Sequence, residues 1–171
     1  MKELGFGDLL DIGPMEEWPI GRLFAVASRL SGPAVWRTIE RHGLSPTGFF
    51  LLRILVVEDG LRAGEIAKRL MVTPASVTSV VDTLERNGHV VRERSHRDRR
   101  GVLIRITDSG RRLIAEKSGP IGRDLGRLYG FIDPADEPAV RRFLLGLIQQ
   151  FDSHSPERFC APEGDAKGDD T

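Results

Sequence analysis

Residues 63–106, AGEIAKRLMVTPASVTSVVDTLERNGHVVRERSHRDRRGVLIRI, decide the fold, because two helical repeats give way there to a strand repeat. Ala63, Ile66, Ala67 and Leu70 recur at helical spacing. After Met71-Val72, Thr73-Pro74 opens a second helix running to Asn87, with a capping hydroxyl before a proline at the first helical position. Val77, Val80, Val81 and Leu84 line its inner face, while Ala75, Ser76, Ser79, Asp82, Thr83 and Arg86 point away. Asn87-Gly88 stops it. The period then falls to 2 in Val90–Arg94 and Val102–Ile106, rich in β-branched residues, around the cationic tip Ser95-His96-Arg97-Asp98-Arg99-Arg100-Gly101. Helix, tight turn, helix and an arginine-tipped hairpin predict a winged helix-turn-helix.

Upstream, Ser45-Pro46 opens a helix to Val57 that is apolar nearly all round and so should be central. Before it, a helix is expected from about Glu16 to Leu30, stopped by Gly32-Pro33, then a short one from Ala34 to His42. Downstream, Thr107 caps a helix that Gly119-Pro120 should kink or break. Asp133-Pro134 starts a last one, whose Val140, Phe143, Leu144, Leu147, Ile148 and Phe151 form a broad apolar stripe. The chain is therefore expected to be mainly α with a small β wing. It is expected to divide into a flexible N-terminal arm (1–15), N-terminal helices (16–44), the winged helix-turn-helix (45–107), C-terminal helices whose apolar stripe suits dimerisation (108–151) and an acidic disordered tail (152–171).

With 171 residues, 40% of them hydrophobic, the chain has enough apolar surface to bury a core. No apolar run approaches the roughly 20 residues of a membrane span, no export signal opens it, and a single Cys160 excludes an internal disulfide framework; a cytoplasmic protein is expected. The formal charge of zero hides a segregation. Residues 1–17 set one lysine against five acids and residues 152–171 two basic residues against six acids, whereas Arg86 to Arg112 holds nine arginines against three acids. That distribution describes either a localised anion-binding face or a solvated surface.

The outward face of the Pro74 helix keeps short polar side chains that fit the major groove of duplex DNA, and the helix N-terminus at Thr73 favours phosphate. The hairpin tip would reach the neighbouring minor groove, whose negative potential attracts arginine. A protein-docking winged helix without DNA binding is the alternative, although docking has no need of four arginines in or beside the tip. An enzyme is a poorer reading. No Ser-His-Asp or Cys-His set is apparent, and the glycines from Gly119 to Gly130 follow no strand, unlike a nucleotide-binding loop. No metal or other cofactor is expected, since His42, His89, His96 and His154 lack paired ligand spacing.

Gly43-Leu44-Ser45-Pro46, Glu65-Ile66-Ala67-Lys68-Arg69-Leu70, Thr73-Pro74-Ala75-Ser76-Val77-Thr78, Leu84-Glu85-Arg86-Asn87-Gly88, Asp98-Arg99-Arg100 and Ile106-Thr107-Asp108-Ser109-Gly110 occur in the order of MarR-type transcriptional regulators, which the chain resembles from about Ile20 to Ile148. The resemblance implies a homodimeric, ligand-responsive repressor joined through its first and last helices and bound to a short palindromic operator. It adds dimerisation and effector binding to the role of the N-terminal helices (16–44). It places Thr73, Ala75, Ser76, Thr78, Ser79, Arg94, Arg97, Asp98, Arg99 and Arg100 at DNA, with Asp98 orienting Arg100 in the minor groove. Ser79 stands where many relatives carry a large basic residue. The wider set Arg86, Arg92, Arg94, Arg97 and Arg99 would touch phosphate. Such regulators respond to small, often anionic aromatic ligands. Arg53, a lone charge in an apolar helix, is a candidate buried cation for one. The N-terminal part is also similar to the urate-responsive branch, which would give Trp18, Arg22, Asp59 and Arg94 effector roles.

Overall fold

Three hydroxyl side chains start three of the helices. In the computed structural model, which describes residues 13–94 and 101–154, Ser45 Oγ accepts from the Gly48 amide (3.1 Å), Thr73 Oγ1 from that of Ser76 (3.2 Å) and Thr107 Oγ1 from that of Gly110 (3.1 Å). After a short 3-10 turn at Met15–Glu17, the helices are α1 (Ile20–Glu40), α2 (Pro46–Val57), α3 (Ala63–Leu70), α4 (Pro74–Arg86), α5 (Asp108–Tyr129) and α6 (Glu137–His154). Between α4 and α5 stand the strands β1 (Val90–Arg94) and β2 (Val102–Ile106). These pair antiparallel in the register Val90–Ile106 to Arg94–Val102, and Leu61 adds a bridge to Ile104. The mainly helical architecture with a small β wing is the one expected.

Two helix breaks expected from proline do not occur. Pro33 lies inside α1 and Pro120 inside α5, and both helices continue through them. Each proline removes a bond to the carbonyl four residues back, at Arg29 and Glu116 respectively. The loss is offset by burial just beyond: Ile39 and Ile121 are fully buried and Thr38 nearly so. Asp133 Oδ1 caps the Ala135 amide at 2.8 Å, and α6 proper starts two residues later.

The chain divides into two units, one ending at Leu128 and the other beginning at Tyr129. In the first, α2 is the hub. Phe49, Leu51, Leu52 and Leu55 are buried, and α2 contacts α1, α3, α4 and β2. Ile66 from α3, Val77 and Val81 from α4, Val90 from β1, Ile104 from β2 and Ile114 from α5 complete the core. Each such side chain contributes about 1.5–3 kcal/mol by leaving water. Arg53 and the last turn of α2 escape, with Val57 88% exposed. In the second unit, α6 leaves Phe143, Leu144, Leu145, Ile148 and Phe151 exposed, beside Tyr129 and Phe131. No helix among the described residues is long and apolar enough to cross a membrane.

Candidate nucleic-acid interface

The turn between α3 and α4 aims α4. Met71 ends α3 in the left-handed region (φ 53°), and the chain re-enters helix at Thr73-Pro74. Thr73 spends its side chain on capping, accepting from the Ser76 amide and sharing a 2.8 Å hydroxyl contact with Ser76. Pro74 has no N–H, so the Ala75 amide is the donor that the first turn leaves pointing outward. Val77, Val81 and Leu84 are buried, whereas Thr73, Ala75, Ser76, Thr78 and Ser79 are all exposed on one face, as anticipated. Thr78 Oγ1 donates to the Pro74 carbonyl at 3.1 Å, which leaves its lone pairs and methyl outward.

The wing is tied to α4 by a contact that periodicity did not disclose. Arg92 Nη2 donates to Asp82 Oδ1 at 2.5 Å, and Arg92 Nη1 donates to Glu85 Oε2. The Arg92 amide also donates to Glu85 Oε1 at 3.0 Å. Hydrogen bonding to Asp82, reinforced by Glu85, holds the Arg92 guanidinium above its ordinary pKa. Arg92 was expected at phosphate; it is instead committed to α4, where it cancels carboxylate charge on the outward helix. Strand alternation then places Arg94 on the same side of the hairpin as Arg92, cross-strand from Val102 and exposed. Glu93 and Arg105 take the opposite side and pair at 2.7 Å. The tip residues Arg97, Asp98, Arg99 and Arg100 lie outside the described residues.

The root of the hairpin is held by Asp59, just past the end of α2. Its Oδ1 accepts from the Ile106 amide at 2.9 Å, and its Oδ2 lies 3.6 Å from Arg105 Nη1 and 3.5 Å from Arg111 Nη2. Arg94, grouped with Asp59 above, is not among these partners. Ile106 and Val102 are four strand residues apart, about 13 Å, and Arg94 belongs to the Val102 end and to the face away from Arg105. Of the other proposed effector residues, Trp18 and Arg22 do come together, with the guanidinium 5.4 Å from the ring centroid and Trp18 Nε1 donating to the Gly13 carbonyl at 3.3 Å. Arg53 is not the buried cation expected; it is exposed and stacks 5.8 Å above Phe49. Two histidines serve as tethers: His42 Nε2 meets Asp124 at 2.9 Å, and His89 Nδ1 meets Ser109 Oγ at 3.1 Å.

Comparison with known proteins accords with this geometry. The MarR family profile matches residues 44–102. The chain is 31% identical over 135 residues to YkoM, named an uncharacterized HTH-type transcriptional regulator, of Bacillus subtilis, which covers 78% of this chain and 84% of YkoM. It is 34% identical over 131 residues to the transcriptional activatory protein BadR of Rhodopseudomonas palustris, covering 74% of each. The MarR family protein Rv2887 of Mycobacterium tuberculosis, solved in complex with p-aminosalicylic acid, superposes with a TM-score of 0.60 at 26% identity, over 76% of this chain and 98% of that one. YkoM and BadR are named as transcriptional regulators rather than enzymes. On the strength of the YkoM and BadR matches and of the winged helix just described, the chain belongs to the MarR family of DNA-binding transcriptional regulators.

Proposed function

We propose that the protein is a cytoplasmic, ligand-responsive repressor that binds a short palindromic DNA operator as a homodimer, with α4 in the major groove and the arginine wing in the minor groove. The observation that carries this is the outward face of α4. Its side chains are small and polar at the N-terminal end, and Arg92 balances one of the two negative charges that Asp82 and Glu85 bring to it, which lessens its repulsion of a polyanion. Thr73, Ala75, Ser76, Thr78, Ser79 and Arg94 would make the contacts, joined by Arg97, Asp98, Arg99 and Arg100 at the tip.

The apolar residues of α6 support the homodimer. Phe143, Leu144, Leu145, Ile148 and Phe151 form a contiguous exposed stripe, a liability in a monomer and an isologous interface when paired across a two-fold axis. A two-fold dimer meets half-sites one helical turn apart, about 34 Å, and one whose operator overlaps a promoter would repress by occupying it.

Trp18 and Arg22 support a small aromatic or anionic effector, because an aromatic wall beside a guanidinium suits such a ligand. The p-aminosalicylic acid held by Rv2887 is of that class. The deciding experiment is a footprint on DNA flanking the protein's own gene, repeated over a salt series and with aromatic acids and purines added. A protected inverted repeat, lost steeply with salt, is expected. No protection even in dilute buffer would leave the docking-module alternative in its place.

A further inference from the structure

The outward face of α4 carries one residue that a polyanion should repel. At 100° per residue, Ala75, Ser79, Asp82 and Arg86 (i, i+4, i+7, i+11) fall in a line down its centre, opposite the buried Val77, Val81 and Leu84. Ala75 and Ser79 are small enough to let a groove close over the helix, which brings Asp82 toward the same floor. Its side chain is 51% exposed.

Anchoring the wing does not account for it. Glu85 alone receives both the backbone amide and Nη1 of Arg92, so β1 is attached to α4 without Asp82. Asp82 adds one bond, from Arg92 Nη2 to Oδ1, and among the described residues Oδ2 has no hydrogen-bond partner. The carboxylate is thus oriented through one oxygen, with its charge partly compensated by a guanidinium it shares with Glu85, and keeps the other oxygen available as an acceptor on a half-exposed side chain.

Resting on the placement of α4 in the major groove, we infer that Asp82 is a specificity-determining residue whose Oδ2 accepts a hydrogen bond from the N4 amino group of a cytosine in each half-site. The groove chemistry selects that base. Guanine and thymine offer only acceptors to a carboxylate, and the adenine amino group lies beside the N7 acceptor, which repels the second oxygen. Arg92 acts as a positioning residue by turning the carboxylate.

The test is selection from randomised duplexes with the full-length wild type, Asp82→Asn, Asp82→Ala and Arg92→Lys, with melting curves for each. The wild type is expected to enrich cytosine at one position per half-site. Asp82→Ala should lower discrimination at that position about tenfold and leave the others unchanged. Asp82→Asn, nearly isosteric and so the comparison to rely on if the alanine variant does not fold, should move the preference toward adenine, which an amide matches. Arg92→Lys should weaken the cytosine preference. Unaltered base preferences in Asp82→Asn, or an equal loss on every sequence, would overturn the inference and leave Asp82 a wing anchor only. A wild type that binds no duplex refutes the DNA-binding reading itself, which is seen before any variant is compared.

Discussion

Gly110, in the first turn of α5, packs directly against the backbone carbonyl of His89: a Cβ at residue 110 would lie 2.3 Å from that oxygen and 2.8 Å from Cγ1 of Ile106. The same carbonyl accepts from the Thr107 amide at 3.1 Å, and Thr107 Oγ1 donates to the Gly88 carbonyl at 2.7 Å. The Ile-Thr-x-x-Gly run is therefore a staple between the end of α4, the root of the wing and α5. Gly110→Ala should destabilise the fold by about 1–3 kcal/mol, because the obstructing atom is backbone and cannot swing away. Chemical denaturation of the purified variant measures this; an unshifted midpoint would show that α5 is free to slide.

Met71 is the one non-glycine residue with positive φ among the described residues, and it is 92% exposed. A left-handed conformation costs a side-chain-bearing residue about 1–2 kcal/mol, part of which glycine returns through its freer unfolded chain. Met71→Gly should accordingly raise stability by about 0.5–1 kcal/mol, read as an increase in Tm, with the winged helix unchanged by circular dichroism.

Asp124 gives an acid-side prediction. The hydrogen bond from His42 comes first among the causes that hold its carboxyl below the ordinary 3.8, and Arg127 adds to it. A depressed carboxylate contributes stability that is present above its unfolded value and lost as pH falls through its folded value. The urea midpoint should thus start to fall only as the pH drops below the ordinary carboxylate range, and Asp124→Asn should flatten that limb. An identical pH profile in the variant would mean that the contact is absent in solution.

Arg94 stands exposed on the hairpin face shared with the α4 anchor, without an ion pair among the described residues. Replacing it with alanine should weaken operator binding on all sequences alike and reduce the slope of log affinity against log salt by about 1. A slope identical to the wild type would remove it from the phosphate contacts.

Ile148 is 63% exposed in the middle of the α6 stripe. Ile148→Glu puts a charge where an apolar partner is proposed, and sedimentation equilibrium should show a monomer at concentrations where the wild type is a dimer. A dimer of undiminished strength would place the interface elsewhere.

Much of the fold was legible in local chemistry. Ser45, Thr73 and Thr107 cap the helices that follow them because a hydroxyl before a helical run needs only the amide three residues on. Val77, Val81 and Leu84 face inward because their spacing allows no other buried stripe. The continuity of α1 and α5 through Pro33 and Pro120 was not legible. A proline signals a lost hydrogen bond, while the burial of Ile39 and Ile121 that offsets it depends on the core they join with other elements.

The chain on its own thus determined the helices and strands of the winged helix, which faces are apolar and where the arginines cluster, since these depend on spacing within a few residues. Tertiary structure alone decided what each charge does. Arg92 and Arg94 are two residues apart on the same face of one strand, yet the first is engaged by Asp82 and Glu85 and the second is left to solvent. Asp59 is committed to Ile106, Arg105 and Arg111, more than forty residues away. A charged side chain's role is set by whatever lies within about 4 Å, and sequence spacing carries no record of that once the partner is on another element.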